Sequence, residues 1–152
     1  IAHNGSAETM QGGGIRMLGG VVEFATVVCN QAAESGGGIA CSGGAVTNSV
    51  IVLNTAPVGS NINSSDSFSH SISPDLIDGL NGNIQGIPQF RCIAESDFRH
   101  SGIYSPGVNA GAKLSWARQA LDLNGGPRWI GAAPDMGAYE SLSVAGTMLM
   151  LR

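Results

Sequence analysis

The sequence predicts an all-β chain of stacked parallel coils, a β-solenoid, and a repeat, a composition and a turn pattern predict it. Gly12-Gly13-Gly14-Ile15 returns as Gly36-Gly37-Gly38-Ile39. The same 24-residue offset relates Gly19-Gly20 to Gly43-Gly44, Val22 to Val46, Val27-Val28 to Ile51-Val52, Asn30 to Asn54 and Ala32 to Ala56. A period in the twenties, with short β-branched runs between glycines, is what one turn of such a stack needs. With 23 Gly and 12% charged residues among 152, helix is disfavoured, and no long stretch carries a 3.6-residue apolar period. Gly and Asn recur at the turns, where they reach unusual backbone angles at low cost.

The pattern places strands at 14–18, 21–24 and 26–29, and again at 38–41, 45–48 and 50–53. Inward side chains stack on their own copies in such a fold, so Ile15 belongs over Ile39 and Val28 over Val52. Asn30 over Asn54 forms an amide ladder at the turn, satisfying polar groups inside the stack. Asn4, Ala7 and Glu8 lie 26 residues before Asn30, Ala33 and Glu34, an earlier turn lengthened by two residues. Ile1-Ala2 then corresponds to strand residues. The expectation is a piece of a longer polypeptide whose N-terminal edge is covered by upstream coils of the same chain or by neighbouring copies.

Three regions follow: coils over 1–63, a polar loop excursion over 64–80, and a C-terminal capping region over 81–152. The excursion rests on the serines from Ser60 to Ser73, with one short strand expected at 67–72. Beyond it, Pro88, Pro106, Pro127 and Pro134 break long elements, and Trp116–Leu121 suits one short helical turn. Leu114, Trp116, Ile130, Met136 and Tyr139 are expected to cover the last coil, which otherwise exposes an apolar face. Gly137–Glu140 reads as a final strand with Tyr139 on the core. Arg128 is placed to tie two excursions through bidentate bonding to a carboxylate, and Asp135 to cap the turn at Gly137. Asp122, Arg128, Asp135 and Glu140 are thus read as structural, with Asn30, Asn54, Gly137 and Tyr139.

In this region Asn83-Ile84, Pro88 and Phe90, Asp97-Phe98-Arg99, Ser105–Gly111, Asp122–Arg128 and Pro134–Glu140 form an ordered series of short motifs. Over about residues 66 to 141 the series resembles the choice-of-anchor Q domain, which terminates right-handed parallel β-helix proteins on bacterial surfaces. The upstream GGGI coils resemble the glycine-rich repeats of polymorphic outer-membrane proteins. Where family members usually carry an acidic residue before the proline and Leu after it, this chain has Ile87 and Gln89. The resemblance implies a right-handed parallel β-helix with an irregular C-terminal cap and a bacterial cell-surface location. It supplies no catalytic residues.

A net charge of −4 argues against a nucleic-acid partner, and no apolar run reaches the roughly 18 residues of a membrane span. The apolar stretch Thr147–Leu151 is too short. Cys29, Cys41 and Cys92 lack CxxC spacing, which excludes a zinc ribbon. Cys29 occupies the position of Leu53 and reads as a small buried residue; a Cys29–Cys41 disulfide stays open. His3, His70 and His100 are isolated in sequence. Glu8, Glu23, Glu34 and Arg16 are the coil residues with catalytic chemistry, Glu8 and Glu34 at equivalent turns, but repeats of this kind usually reflect solvent-facing turns. Asp75 and Asp78 offer oxygen to calcium without the alternating acidic spacing of a calcium loop.

The expectation is therefore no catalytic or metal site and no cofactor. The expected role is structural or adhesive, in an extracellular or cell-surface protein facing a partner or a glycan. A second reading is the non-catalytic end of a carbohydrate-active β-helix enzyme, and a third is a filament subunit joined through its coil ends.

Overall fold

In a computed structural model, which describes residues 1–141, the chain is all-β: short strands and turns, with two brief 3-10 turns at Leu80–Gly82 and Ser115–Gln119. The strands are β1 (Ile15–Met17), β2 (Val21–Glu23), β3 (Thr26–Val28), β4 (Ile39–Cys41), β5 (Ala45–Thr47), β6 (Val50–Val52), β7 (Phe68–Ser69), β8 (Phe90–Cys92) and β9 (Asp97–His100). The sheets are small. β1 pairs with β4 and β3 with β6, β5 lies between β2 and β7, and all of these pairings are parallel. Only β8 and β9 pair antiparallel among the named strands.

The register follows the sequence repeat. Ile15 opposes Ile39, Val22 opposes Val46 and Val28 opposes Val52. Side chains alternate between the faces of a strand, and the β3/β6 sheet uses both. Val27 and Ile51 enter a cluster with Met17, Ile39, Val46, Ile62, Phe68 and Leu76. Val28, Val50 and Val52 enter a second cluster with Ile72, Phe98 and Met136.

Two side-chain ladders hold the corners. Asn4, Asn30 and Asn54 each donate a backbone N–H and an Nδ2–H to the Oδ1 of the next member, at 2.9–3.2 Å, and Asn61 is the last acceptor. Asp75 Oδ2 then accepts the N–H groups of Asn61 and Ile62, ending the series on a group that needs no further acceptor. At the opposite corner, Ala25 N–H donates to Ser49 Oγ, Ser49 N–H to Ser71 Oγ and Ser71 N–H to Asn83 Oδ1.

The stretch 64–80 holds the short strand expected within 67–72, as β7, and differs from the expected excursion in keeping the parallel pairing. Phe68 pairs with Val46 and Ile72 with Val50, and both side chains are buried. Of its serines, Ser71 and Ser73 lie fully buried, Ser71 satisfying backbone groups at the corner. The turn entering it repeats the earlier one: Gly12, Gly36 and Gly59 all have positive φ, and Gly59-Ser60-Asn61-Ile62 stands where GGGI stood, with Ile62 against Ile39.

The C-terminal residues also depart from expectation. They do not close the end of the stack but lie along the second face of the β3/β6 sheet: Met136 packs with Val28, Val50 and Val52, and Gly137 N–H donates to Asn48 O. Gly137–Glu140 forms no strand, because its backbone bonds go to Asn48 O, Thr26 Oγ1 and Asp122 Oδ2 in turn. Leu76 and Phe68 fill the interior where the strand series ends. Trp116 is half exposed, meeting Phe24 edge-on at 5.4 Å, and Leu114 and Ile130 are part-buried. Cys29 is part-buried rather than buried, because it and Leu53 hold the positive-φ corner after β3 and β6. All three cysteines are free thiols. The apolar stretch Thr147–Leu151 and the end of the 81–152 region lie outside the described residues.

Asn54→Ala removes the acceptor of two Asn30 N–H groups and the donor to Val27 O and Val52 O. Each buried group left unpaired costs about 1–3 kcal/mol, so the loss in urea unfolding should be about 3 kcal/mol or more. A value under about 1 kcal/mol would mean that water replaces the ladder.

Glycine contacts give a second contrast. A Cβ on Gly38 meets Asn54 Nδ2 at 2.6 Å and Asn61 O at 2.7 Å, whereas a Cβ on Gly19 meets nothing within 4 Å. Gly38→Ala should lower the melting temperature sharply and Gly19→Ala leave it within a degree or two.

Candidate functional site

The residues of the C-terminal segment converge on one carboxylate. Glu140 Oε2 accepts from Arg128 Nη2 at 2.8 Å and from Asp135 N–H at 2.9 Å, and Oε1 accepts from Ile130 N–H at 3.0 Å. Both side chains of the Arg128–Glu140 pair are 2% exposed. Arg128 binds the carboxylate through one nitrogen, not bidentately. Its other bonds go to the carbonyls of Gly137, Asp135 and Tyr139, and its guanidinium lies 4.7 Å from the Phe24 ring centroid. The pair therefore gathers an irregular backbone and leans it on the corner between β2 and β3. Breaking such a buried pair from one side typically costs about 3–5 kcal/mol.

Asp135 does not cap the Gly137 turn. Its oxygens accept the N–H groups of Asn109 and Ser141, joining two more distant loops. Asp122 Oδ1 takes Asn124 and Gly126 N–H, and Oδ2 takes Glu140 N–H. Tyr139 is part-buried and packs against the second cluster. Asn30 and Asn54 sit far along the stack in their ladder, away from these residues in function: both are buried and hydrogen-bonded within the fold.

Above Glu140 and Asp122 is a polar groove, the site with the richest chemistry. A cavity of about 130 Å³ is lined by Arg91, His100, Asp122 and Glu140, among others. It shares Arg99, Asn124 and Tyr139 with an open hollow of about 390 Å³ that adds Glu95 and Asp97. Arg99 is held flat by Asp97, with Nε to Oδ1 at 2.7 Å and Nη2 to Oδ2 at 2.6 Å. The Arg99 hydrogen bond holds the Asp97 carboxyl below its ordinary value. Burial pushes the Glu140 carboxyl above its ordinary 4.5, with Asp135 adding to the rise and the N–H and guanidinium donors opposing it.

His100 was isolated in sequence, yet it anchors the groove wall. Its Nε2 donates to Met136 O at 3.0 Å, and its Nδ1 lies 2.9 Å from Ser105 Oγ. No sequence signal could pair His100 with Met136, 36 residues away, in a segment without periodicity.

The coil residues with catalytic chemistry do not assemble. Glu8, Arg16, Glu23 and Glu34 are exposed. Glu8 and Glu34 are not stacked, because the register has changed from 26 to 24 by Thr9: Ala33 N–H bonds Thr9 O and Glu34 N–H bonds Met10 O. Asp75 ends the amide ladder and Asp78 accepts Gln85 N–H. Among the described residues no three His, Cys, Asp or Glu side chains come together to hold a metal ion. No helix there is long and apolar enough to cross a membrane.

Comparison of the chain with family models, curated proteins and solved structures found no match.

The raised Glu140 pKa fixes the sign of one pH dependence. The folded protein holds this proton more tightly than the unfolded chain, so ionising Glu140 subtracts stability. Relative to Glu140→Gln, the protein should be most stable below pH 4.5 and lose that advantage as pH rises from there through the raised value. Urea midpoints across this range check it; an advantage that grows with pH would contradict the assignment.

Proposed function

We propose that this chain is part of an extracellular right-handed parallel β-helix, with a structural or adhesive role on a bacterial surface and glycans as the class of partner. The observation that carries the reading is the 24-residue parallel register of β1 with β4, β2 with β5 and β3 with β6, reinforced by the Asn4–Asn30–Asn54–Asn61 ladder. Three short strands per repeat, each stacked on its own copy, is the economy of a β-helix. The resemblance of residues 66 to 141 to the choice-of-anchor Q domain supports the location.

The enzyme reading has less support, since Glu8, Glu23 and Glu34 are exposed and unassembled, and general acid–base chemistry needs paired groups in one cleft. The filament reading requires two open ends. Asp75 ends the amide ladder on an acceptor, and Leu76 and Phe68 fill the interior there, which favours a terminated stack.

Surface location is testable on intact cells of the source organism. Protease applied outside should remove the antibody signal for this chain while sparing a cytoplasmic control. A signal released only after lysis would overturn the reading.

A further inference from the structure

We infer that the groove between Arg99, Asn124 and Tyr139 is a binding site for a neutral oligosaccharide. The inference names the ligand class within the proposed function and rests on that reading for its biological setting.

The floor of the groove is fixed by its own hydrogen bonds. All four oxygens of Asp122 and Glu140 accept hydrogen bonds from within the protein, so these carboxylates position the site and leave the rim to meet a ligand. The rim keeps free capacity. Arg99 uses Nε and one N–H of Nη2 on Asp97, leaving Nη1 and the second Nη2 hydrogen as donors. The side chains of Arg91 and Asn124 and the Tyr139 hydroxyl form no hydrogen bond among the described residues, while Asp97 Oδ2, which accepts only from Arg99 Nη2, retains a lone pair.

Charge decides the ligand class. Arg128 is consumed by Glu140, so the rim and floor set Arg91 and Arg99 against Glu95, Asp97 and Asp122. With Arg99 paired to Asp97, Arg91 stands against Glu95 and Asp122, so an anionic sugar meets more unpaired carboxylates than guanidiniums and a cation meets Arg91. Neighbouring donors and acceptors at fixed spacing suit hydroxyl pairs, each of which donates and accepts at once. The flat Arg99–Asp97 unit offers both functions in one plane. Tyr139 supplies an aromatic body for the C–H face of a sugar ring, with its backbone carbonyl held by Arg128 at 2.9 Å. The hollow of about 390 Å³ falls within the size of small-ligand sites, roughly 300–1,000 Å³. Its openness to solvent fits a chain passing through rather than an enclosed monosaccharide.

Titration calorimetry of the full chain with cellohexaose, xylohexaose and mannohexaose tests the inference, with hexagalacturonate as the charged comparison. At least one neutral hexasaccharide should bind with Kd of about 10 µM to 1 mM, as expected of an open, wet site. Asn124→Ala, at an exposed position, should weaken it about tenfold, the loss of one net hydrogen bond. Arg99→Ala should weaken it at least as much, with the melting temperature checking that the fold persists. No binding by any neutral hexasaccharide at about 10 mM would overturn the inference, as would tighter binding of hexagalacturonate or an affinity that Asn124→Ala leaves unchanged. Failure here leaves the surface-protease result standing, and an intracellular location leaves the titration standing, so the two readings fail separately.

Discussion

The constraint on which the rest of the structure depends is the need to satisfy backbone N–H groups at corners that are buried. A strand of three residues cannot turn without stranding donors, and at two of the corners here stranded donors meet side-chain oxygens of the next repeat. Asn54 Oδ1 takes two N–H groups of Asn30, while Asn54 Nδ2 reaches the carbonyls of Val27 and Val52. An amide serves because it accepts on one side and donates on the other. The geometry couples neighbours: a one-residue slip would move every Asn off its partner and send Val27 and Ile51 to the face of Val28 and Val52.

That coupling is why the first half of the chain was legible. The 24-residue offset, the GGGI turns and the strand positions follow from residues that must sit on their own copies, and the structure differs by about one residue at strand ends. Legibility failed where the period shortened. Gly59-Ser60-Asn61-Ile62 keeps only two letters of its predecessor, and Asn61 carries a side chain where Gly38 has none, since it must reach Asn54 to end the ladder. Ser71 looked like surface composition because a hydroxyl that satisfies a buried corner has the same letter as one that faces water. The groove was less legible still. Its residues come from β8 to Ser141 without periodicity, and their meeting depends on Arg128 and Glu140 gathering loops that nothing in the local sequence joins.

The C-terminal segment and the repeats stabilise one another. A sheet with fully buried valines on both faces needs two cores, and Phe98 and Met136 supply the second. In return, Asn48 and Thr26 offer the segment fixed points: Asn48 bonds Ala112 through both side-chain atoms, and Thr26 Oγ1 accepts Ala138 N–H. The segment that lines the groove is therefore anchored on residues whose positions are set by the repeat register.

The parallel register can be read from nuclear Overhauser contacts in the isotopically labelled protein. Parallel strands about 4.8 Å apart place Ile15 beside Ile39, Val22 beside Val46 and Val28 beside Val52, and Val46 beside Phe68 where the period shortens. Inter-strand contacts are expected in these pairs, all in the parallel pattern. Contacts displaced by one residue, or the paired Hα–Hα contacts of antiparallel strands among β1 to β6, would contradict it.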